Sequence, residues 1–264
     1  MRSGHNVVRF RPCARAGSGT RVDCERTGQR LAITIGGGGR HFLDEGLLGK
    51  LEQAIDDVER AQGVSLVILR CTGLSFCEGL DPELVSMSGD GAAPRLASLI
   101  ERHALLVRRI AGLLPVTLCE LGGNAFGSGL ELALACDLRI AAGNVRLGFP
   151  ESCWGVAAGS FAAARAVRLC GPGNAARLLL TGETVDARTA HAMGLVQWTV
   201  HVADMEEAAG RLASRICSLS PEALAATKAA MPDCPRVTQP MANHQASILA
   251  MPQVRRRVAD FLNA

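Results

Sequence analysis

Hydrophobic and polar positions change their period several times along the first third of the chain. Over residues 21–35 they alternate in two short runs around a Thr-Gly pair, which predicts a β-hairpin. Over residues 43–62 apolar side chains recur at helical spacing, which predicts a helix of about five turns. Residues 65–71 (SLVILRC) are apolar with little alternation, as expected for a strand covered on both faces of a parallel sheet.

The succession of helix and buried strand continues through the middle of the chain. A helix is predicted for residues 95–113, and a second buried strand (VTLCEL) follows Pro115. A short helix is then predicted for residues 129–136 and a third strand for residues 137–142. Strands that alternate with helices in this way predict an α/β fold with a mainly parallel sheet.

Beyond Gly171 the pattern becomes helical, and Asp186 and Gly194 are typical of a helix N-cap and a helix stop. The predicted helices cover residues 174–180, 186–194, 205–219, 221–231 and 252–262. We therefore expect a disordered leader over residues 1–20, a core over residues 21–204 and a C-terminal helical region over residues 205–264.

Composition narrows the classes of partner. A chain of 264 residues that is 48% hydrophobic can bury the core of one large domain. The formal net charge is only +3, aromatic residues make up 3% and Tyr is absent, so a nucleic-acid partner is not expected. No run reaches the roughly 18 apolar residues of a membrane span, so no membrane partner is expected either.

Cysteine and histidine usage bears on location and on metals. The ten cysteines are scattered and never form a Cys-x-x-Cys pair, which favours reduced thiols in a cytoplasmic protein. The six histidines are isolated from one another, and no cluster of His and Cys has metal-ligand spacing, so no metal site is expected.

Two Gly-containing loops each follow an apolar strand and precede a helix. They are residues 76–81 (FCEGLD) and residues 124–132 (NAFGSGLEL). In open α/β sheets such strand ends lead into ligand crevices, and backbone N–H groups at a helix start lack acceptors. Two of these N–H groups converging on one carbonyl oxygen would form an oxyanion hole, although Gly-rich turns also occur without function.

The run from Pro115 to Val200 resembles the core of the enoyl-CoA hydratase/isomerase (crotonase) family. The segment GGNAFGSGLELALACDLRIAAGNVRLGFPES is similar to the family's signature, and TGETVDARTAHAMGLV is similar to its downstream helix-turn element. A looser similarity covers residues 22–114. The resemblance implies the crotonase (ClpP-like) fold of repeated ββα units, with a C-terminal helical region that forms a homotrimer or a hexamer of two trimers.

The resemblance also implies roles for individual residues. Glu131 and Glu151 match the two catalytic glutamates of the hydratase members, and the backbone N–H groups of Glu78 and Ser128 match the oxyanion hole. Glu78 departs from the pattern because a small residue is usual there. The substrate-binding positions implied by the same two loops and the segment after Glu151 are Cys77, Gly79, Leu80, Asp81, Gly127 and Trp154.

The function that follows from the resemblance is an enoyl thioester hydratase or dehydratase. Its substrate would be a thioester of coenzyme A or of an acyl carrier protein, and no other cofactor is expected. Residues 154–161 depart from the family pattern, and residues 84–94 could form a lid, so the acyl group is left open. The alternatives are an isomerase, decarboxylase or biosynthetic dehydratase of the same family, and a non-catalytic scaffold or RNA-binding protein with the same fold.

Overall fold

Two β-sheets flanked by helices form the fold. The computed structural model describes residues 20–37, 39–86, 91–231, 251–252, 255–256 and 259–260. The strands are β1 (Arg21–Thr27), β2 (Arg30–Gly36), β3 (Leu66–Cys71), β4 (Ser75–Cys77), β5 (Val116–Leu121), β6 (Asn124–Phe126), β7 (Leu138–Ala142), β8 (Arg146–Gly148), β9 (Thr184–Asp186) and β10 (Trp198–Val200). The helices are α1 (Glu45–Arg60), α2 (Pro82–Ser86), α3 (Ala92–Gly112), α4 (Ser128–Ala135), α5 (Ser160–Thr181), α6 (Ala187–Met193), α7 (Met205–Cys217) and α8 (Pro221–Ala230), with short 3-10 helices at Pro150–Trp154 and Val202–Asp204.

The larger sheet has the strand order β1-β2-β3-β5-β7-β10. Strands β1 and β2 form an antiparallel hairpin, and every later pair in this sheet is parallel. The smaller sheet has the order β4-β6-β8-β9, with β9 antiparallel to β8. The chain passes from the larger sheet to the smaller one three times, between β3 and β4, between β5 and β6, and between β7 and β8.

The predicted α/β class, the hairpin and the three buried strands are confirmed. The helix predicted for residues 174–180 is the second half of α5, which the kink at Gly171 divides. Asp186 caps α6 by accepting a hydrogen bond from the N–H of Thr189, and Gly194 ends that helix, as predicted. The smaller sheet was not predicted, because strands of three residues are too short to show a period.

Helix α4 is fixed at both ends, and this determines where its side chains lie. At its start, a Cβ on Gly129 would be 2.1 Å from the carbonyl oxygen of Cys77 in β4, so only glycine allows the helix to approach so closely. At its other end, Arg139 donates to the carbonyl of Cys136 at 2.7 Å and Arg165 donates to the carbonyl of Leu134 at 2.9 Å. These two side chains satisfy carbonyl groups that a helix end leaves without partners.

Replacing Gly129 with alanine is expected to lower the free energy of unfolding by about 3 kcal/mol, because the added methyl group meets backbone rather than a flexible side chain. Gly210 in α7 is the matched control, since a Cβ there meets nothing within 4 Å. Alanine at residue 210 should raise the free energy of unfolding by up to about 1 kcal/mol. Urea denaturation measures both, and equal effects of the two substitutions would contradict the close approach.

Helices α1 and α3 are joined by ion pairs that repeat every seven residues on both helices. The pairs are Glu45 with Arg95, Glu52 with Arg102, and Glu59 with Arg109. Exposed pairs of this kind contribute little individually, but their common spacing sets the register between the two helices. This register holds the buried face of α3, which carries His103, against α4.

Several predicted segments lie wholly or partly outside the described residues. Residues 1–19 of the expected leader are among them, as are residues 87–90 of the expected lid and residues 232–250 of the C-terminal region. The trimer or hexamer therefore stays a prediction. Within the described part of the chain, no helix is long and apolar enough to cross a membrane, and no cluster of His, Cys, Asp or Glu is suited to hold a metal ion.

Candidate active site

Glu131 lies in the first turn of α4, where the side chain is enclosed by protein. The residue is only 4% exposed, and the backbone N–H of Gly159 donates to its carboxylate. A Cβ on Gly159 would be 2.2 Å from Oε1 of Glu131, although the backbone of Gly159 (φ −58°, ψ 148°) is open to any residue. The glycine thus provides the space that the carboxyl group occupies.

Glu151 approaches the same place from the 3-10 helix at Pro150–Trp154. Its Oε1 would be 2.6 Å from a Cβ on Gly127, the residue before α4. Gly127 has φ 50° and ψ −127°, a conformation that disfavours other residues, so both its backbone and its neighbour require glycine. Oε2 of Glu151 is buried and meets no hydrogen-bond donor among the described residues. A carboxylate oxygen in this state is free to bind a proton or a ligand.

Both carboxyl groups have a raised affinity for protons. Burial, and then the charge of Glu151, raise the pKa of Glu131 to about 8, although the Gly159 N–H opposes this. Burial raises the pKa of Glu151 to about 7. Two carboxyl groups that titrate near neutral pH can exchange protons with a substrate under ordinary conditions.

These raised pKa values predict how stability depends on pH. The folded protein binds more protons than the unfolded chain at pH values between the ordinary glutamate pKa of 4.5 and about 8. The stabilisation is therefore complete below the unfolded pKa and is lost as pH rises through about 7 and 8. We expect the free energy of unfolding, measured in urea, to fall with pH in the wild type. A double glutamine variant at residues 131 and 151 should lose less, and an equal loss would contradict the raised pKa values.

His103 is a buried histidine that was not predicted to belong to the site, and it lies close to both Ser128 and Glu131. His103 is 4% exposed and its Nε2 lies 3.1 Å from the carbonyl oxygen of Ser128. Its Nδ1 lies 3.9 Å from Oε2 of Glu131. Burial lowers the pKa of His103 to about 4, so the ring is neutral near neutral pH. The available signal was a histidine within the apolar stripe of a helix that otherwise buries leucine, isoleucine and valine.

The loop after β4 corrects one sequence prediction. The N–H of Glu78 donates to the carbonyl of His41 at 2.8 Å, so it is already bonded and is not the oxyanion-hole donor that was expected. The same loop pairs with Leu43, whose N–H donates to Gly79 at 2.7 Å and whose carbonyl accepts from Asp81 at 3.1 Å. The prediction was wrong because this short parallel pairing, which fixes the direction of each N–H group, leaves no trace in the sequence pattern.

The pairing leaves a different N–H group on the side of the loop that faces away from residues 41–43. Leu80 forms an isolated parallel bridge with Leu43, in which the bonds are made by Gly79 and Asp81. In such a parallel bridge the central residue has its own N–H on the side opposite the bonded partner, so the N–H of Leu80 points away from Leu43. Gly79 lies beside Ser128, because a Cβ on Gly79 would be 3.7 Å from the Ser128 nitrogen. The N–H of Ser128, at the start of α4, has no acceptor within the helix.

Glu78 instead places a carboxylate beside this loop. The residue is 8% exposed and its Oε2 accepts a hydrogen bond from Nη1 of Arg40 at 2.8 Å. Burial raises the pKa of Glu78, and the Arg40 guanidinium offsets part of that effect. Oε1 of Glu78 is buried and has no partner among the described residues. The ion pair partly balances the charge that the sequence places close to the predicted oxyanion hole.

The remaining predicted residues lie in β4, in the loop that follows it and in the 3-10 helix that carries Glu151. Cys77 is fully buried in β4, and Gly79 N–H donates to its sulfur. Asp81 is buried and accepts from the N–H of Glu83 at the start of α2. Trp154 and Leu80 are partly buried against a small apolar cluster. The members of that cluster are Val85, Leu96, Ile100 and Val156.

Comparison with known proteins finds relatives that are described as enoyl-CoA hydratases or isomerases. Residues 42–249 match the sequence profile described as enoyl-CoA hydratase/isomerase. YngF of Bacillus subtilis, named for the enoyl-CoA hydratases and isomerases, is 36% identical over 191 residues, which are 72% of each chain. A second Bacillus subtilis protein, named "probable enoyl-CoA hydratase", is 33% identical over 195 residues, which are 73% of this chain and 74% of that protein. The crystal structure of an enoyl-CoA hydratase from Bacillus anthracis superposes with a TM-score of 0.75 at 25% identity, covering 92% of this chain and 91% of that one.

Proposed function

Because the chain belongs to the enoyl-CoA hydratase/isomerase family and has the crotonase fold, we propose that it adds water to the α,β-double bond of an acyl thioester or removes it. The observation that carries the proposal is the pair Glu131 and Glu151. Family members that only move a double bond can act with one such carboxyl group, whereas addition of water needs one group to take a proton and one to give it. Both groups are present here, and both have raised pKa values.

The thioester carbonyl oxygen would be held by the backbone N–H groups of Leu80 and Ser128. Support for this pair comes from the direction of the Leu80 N–H and from the nearness of Gly79 to Ser128. Two such donors stabilise the negative charge that develops on the oxygen as an enolate forms. One donor of this type contributes about 3 to 4 kcal/mol to the transition state of a well-studied acyl-transfer enzyme. Main-chain donors also explain why the side chain at residue 80 can be apolar.

The reaction needs only protons and water in addition to the thioester. In the hydration direction, the oxygen of a water molecule attacks the β-carbon while one carboxylate accepts a proton from that water. The electron pair of the double bond moves onto the thioester oxygen as an enolate. The α-carbon then takes a proton from the other carboxyl group, which restores the thioester carbonyl and gives a 3-hydroxyacyl product. The reverse sequence is dehydration, and neither direction requires a cofactor beyond the coenzyme A or carrier group of the substrate.

A small buried apolar cluster adjoins residues from both parts of the site. The cluster of Val85, Leu96, Ile100 and Val156 is continuous with Leu80 on one side and with Trp154 on the other. Leu80 adjoins the proposed carbonyl site, and Trp154 belongs to the same short helix as Glu151. The contact of this cluster with Leu80 and Trp154 supports a hydrophobic acyl group in the substrate.

Mass spectrometry of the product in water enriched in heavy oxygen tests this proposal. We expect an enoyl-CoA substrate to gain the mass of one water and to carry the heavy oxygen at the β-carbon. Rates with the same acyl group on coenzyme A and on an acyl carrier protein show which of the two thioesters is the better substrate. A product with a shifted double bond and no heavy oxygen would overturn hydration.

Isomerisation is the second candidate, and the departure at Glu78 is the observation that favours it. The buried carboxylate and its partner Arg40 alter the charge beside the proposed enolate site. In an isomerisation, one glutamate would take a proton from one carbon and return it to another, so that no water is gained. In heavy water the product would then gain deuterium on its carbon chain, but it would not gain the mass of an added oxygen atom.

The proposed function predicts a bell-shaped dependence of activity on pH. One carboxyl group must be ionised and the other protonated, and the pair has pKa values of about 7 and about 8. We expect kcat/KM for hydration to fall as pH drops below about 7, where both are protonated, and as pH rises above about 8, where both are ionised. A rate that stays constant across both values would contradict this assignment of the acid and the base.

A further inference from the structure

The carboxyl group of Glu78 has one oxygen atom without a hydrogen-bond donor. The side chain is 6% exposed, and Oε2 accepts a hydrogen bond from Nη1 of Arg40 at 2.8 Å. Oε1 is buried and has no partner among the described residues. The charge of Arg40 favours the ionised form of the carboxyl group, and an ionised carboxylate only accepts hydrogen bonds. Oε1 is therefore able to bind a donor that comes from outside the described residues.

Other glutamates that pair with arginine leave neither oxygen free. Both carboxylate oxygens of Glu45 accept from Arg95, and both oxygens of Glu52 accept from Arg102. The side chains of these two glutamates are 41% and 27% exposed, so water could also reach them. Glu78 is the most buried of the three, yet it keeps an unbonded oxygen. Buried polar atoms are nearly always bonded in folded proteins, so the exception suggests that a ligand supplies the donor.

The place of Glu78 in the chain brings this oxygen close to the proposed thioester site. Leu80, whose N–H is proposed to hold the carbonyl oxygen, is two residues further on and leads into α2. Helix α2 carries Val85 of the apolar cluster that supports a hydrophobic acyl group. An acyl group on that side of Leu80 directs the sulfur atom, and the arm attached to it, to the Glu78 side. Two residues span at most about 7 Å, and the first amide of a pantetheine arm lies within that reach of the thioester carbon.

We propose that Glu78 is a specificity-determining residue, whose Oε1 accepts a hydrogen bond from an amide N–H of the pantetheine arm that carries the acyl group. Because the acceptor is ionised, this bond is stronger than one between neutral groups. Coenzyme A and acyl carrier proteins both carry the arm, so the contact selects thioesters that have its amide groups. The inference rests on the proposed function for its substrate class, an acyl thioester, but not on the reaction that follows binding.

Binding of saturated thioesters tests this contact without any reaction, because they have no double bond to take up water. In calorimetry we expect Glu78→Gln to raise Kd about 10- to 100-fold for the butanoyl thioesters of coenzyme A and of pantetheine alike. Glutamine has the same shape, but its oxygen would face Arg40 and its NH₂ group cannot accept a hydrogen bond. Glu183→Gln is the control, since Glu183 also pairs with an arginine, Arg177, but beyond the end of α5. Unchanged Kd values for Glu78→Gln, or weaker binding of the coenzyme A thioester alone, would overturn the proposal.

A second measurement uses the unaltered protein and does not depend on the folding of any variant. Ester oxygens in place of the amide nitrogens of the pantetheine thioester remove the donors, and we expect Kd for the wild type to rise by the same factor. For Glu78→Gln the ester should bind as well as the amide, because both changes remove one contact. Equal binding of ester and amide by the wild type, or no binding of either, would overturn the proposal. If these Kd values are as expected but no enoyl thioester is converted, the proposed reaction fails and the contact with the arm remains.

Discussion

Replacing Glu131 or Glu151 with glutamine is expected to lower kcat for enoyl thioester hydration about 10²- to 10⁴-fold. Glutamine has nearly the same shape as glutamate, but its amide can neither accept the proton of water nor donate a proton to carbon. Both side chains lie where a glycine provides their space, so the substitutions should leave the fold intact. Because burial of two ionisable carboxyl groups costs stability, each variant should unfold at higher urea concentration than the wild type at alkaline pH.

The double variant distinguishes a shared role from two separate ones. Groups that act in one step are not additive, so losing both should cost little more than losing the more important one. Glu207→Gln on the exposed face of α7 is the control, because its partner Arg211 lies on the same helix, far along the chain from both glutamates. Retention of wild-type activity by the double variant would exclude hydration by this pair.

Gly159→Ala is expected to lower kcat about 100-fold, since a displacement of about 1 Å at a reacting group can cost that much. The backbone at residue 159 accepts alanine without strain, but the new methyl group would lie 2.2 Å from Oε1 of Glu131. The carboxyl group must move, and the N–H of Gly159 that bonds it must move as well. We also expect the free energy of unfolding to fall by about 1 to 3 kcal/mol.

A double-mutant cycle shows whether this clash is the cause. In a Glu131→Ala background the space is empty, so Gly159→Ala should no longer destabilise the protein. Gly173→Ala, in the helix that follows residue 159, is the control because a Cβ there meets nothing within 4 Å. Equal destabilisation by Gly159→Ala in both backgrounds would show that the methyl group meets something other than Glu131.

The sequence was sufficient to predict the fold class, and it singled out Glu131 and Glu151, whose carboxyl groups lie close enough to interact. The apolar runs that form β3, β5 and β7 predicted a parallel sheet, because buried strands and amphipathic helices differ in period. The spacing from Ser128 to Glu131 and the Pro150-Glu151 pair carried the family resemblance. In the structure, α4 carries Ser128 and Glu131, and the next helix along the chain, the 3-10 helix at Pro150–Trp154, carries Glu151.

The direction of individual N–H groups could not be predicted in the same way. Cys77, Glu78 and Leu80 belong to one short segment with a bend at Gly79 (φ 94°), and its pairing with residues 41–43 decides which N–H groups are free. That pairing involves a single bridge, which has neither a period nor a composition of its own. Glu78 donates to His41 and Asp81 donates to Leu43, whereas the N–H of Leu80 lies on the other side of the bridge, and the sequence pattern does not distinguish these groups.

The contacts of Gly159 and His103 could not be predicted from the sequence either. Gly159 appeared in the sequence only as part of a departure from the family pattern, and its closeness to Glu131 depends on how α5 begins. His103 is 25 positions from Ser128 in the chain, and the packing of α3 against α4 brings the two together. Such contacts follow from packing in three dimensions rather than from local pattern.

The most direct test of the central claim is the ultraviolet absorbance of the enoyl thioester band after mixing with the purified protein. Short, branched and aromatic acyl groups, each on coenzyme A and on an acyl carrier protein, cover the substrates left open here. If Glu131 and Glu151 catalyse hydration, the band of at least one substrate decays with the wild type and persists with the double glutamine variant. Persistence of the band for every substrate with the folded wild type, or equal decay with the variant, would contradict it.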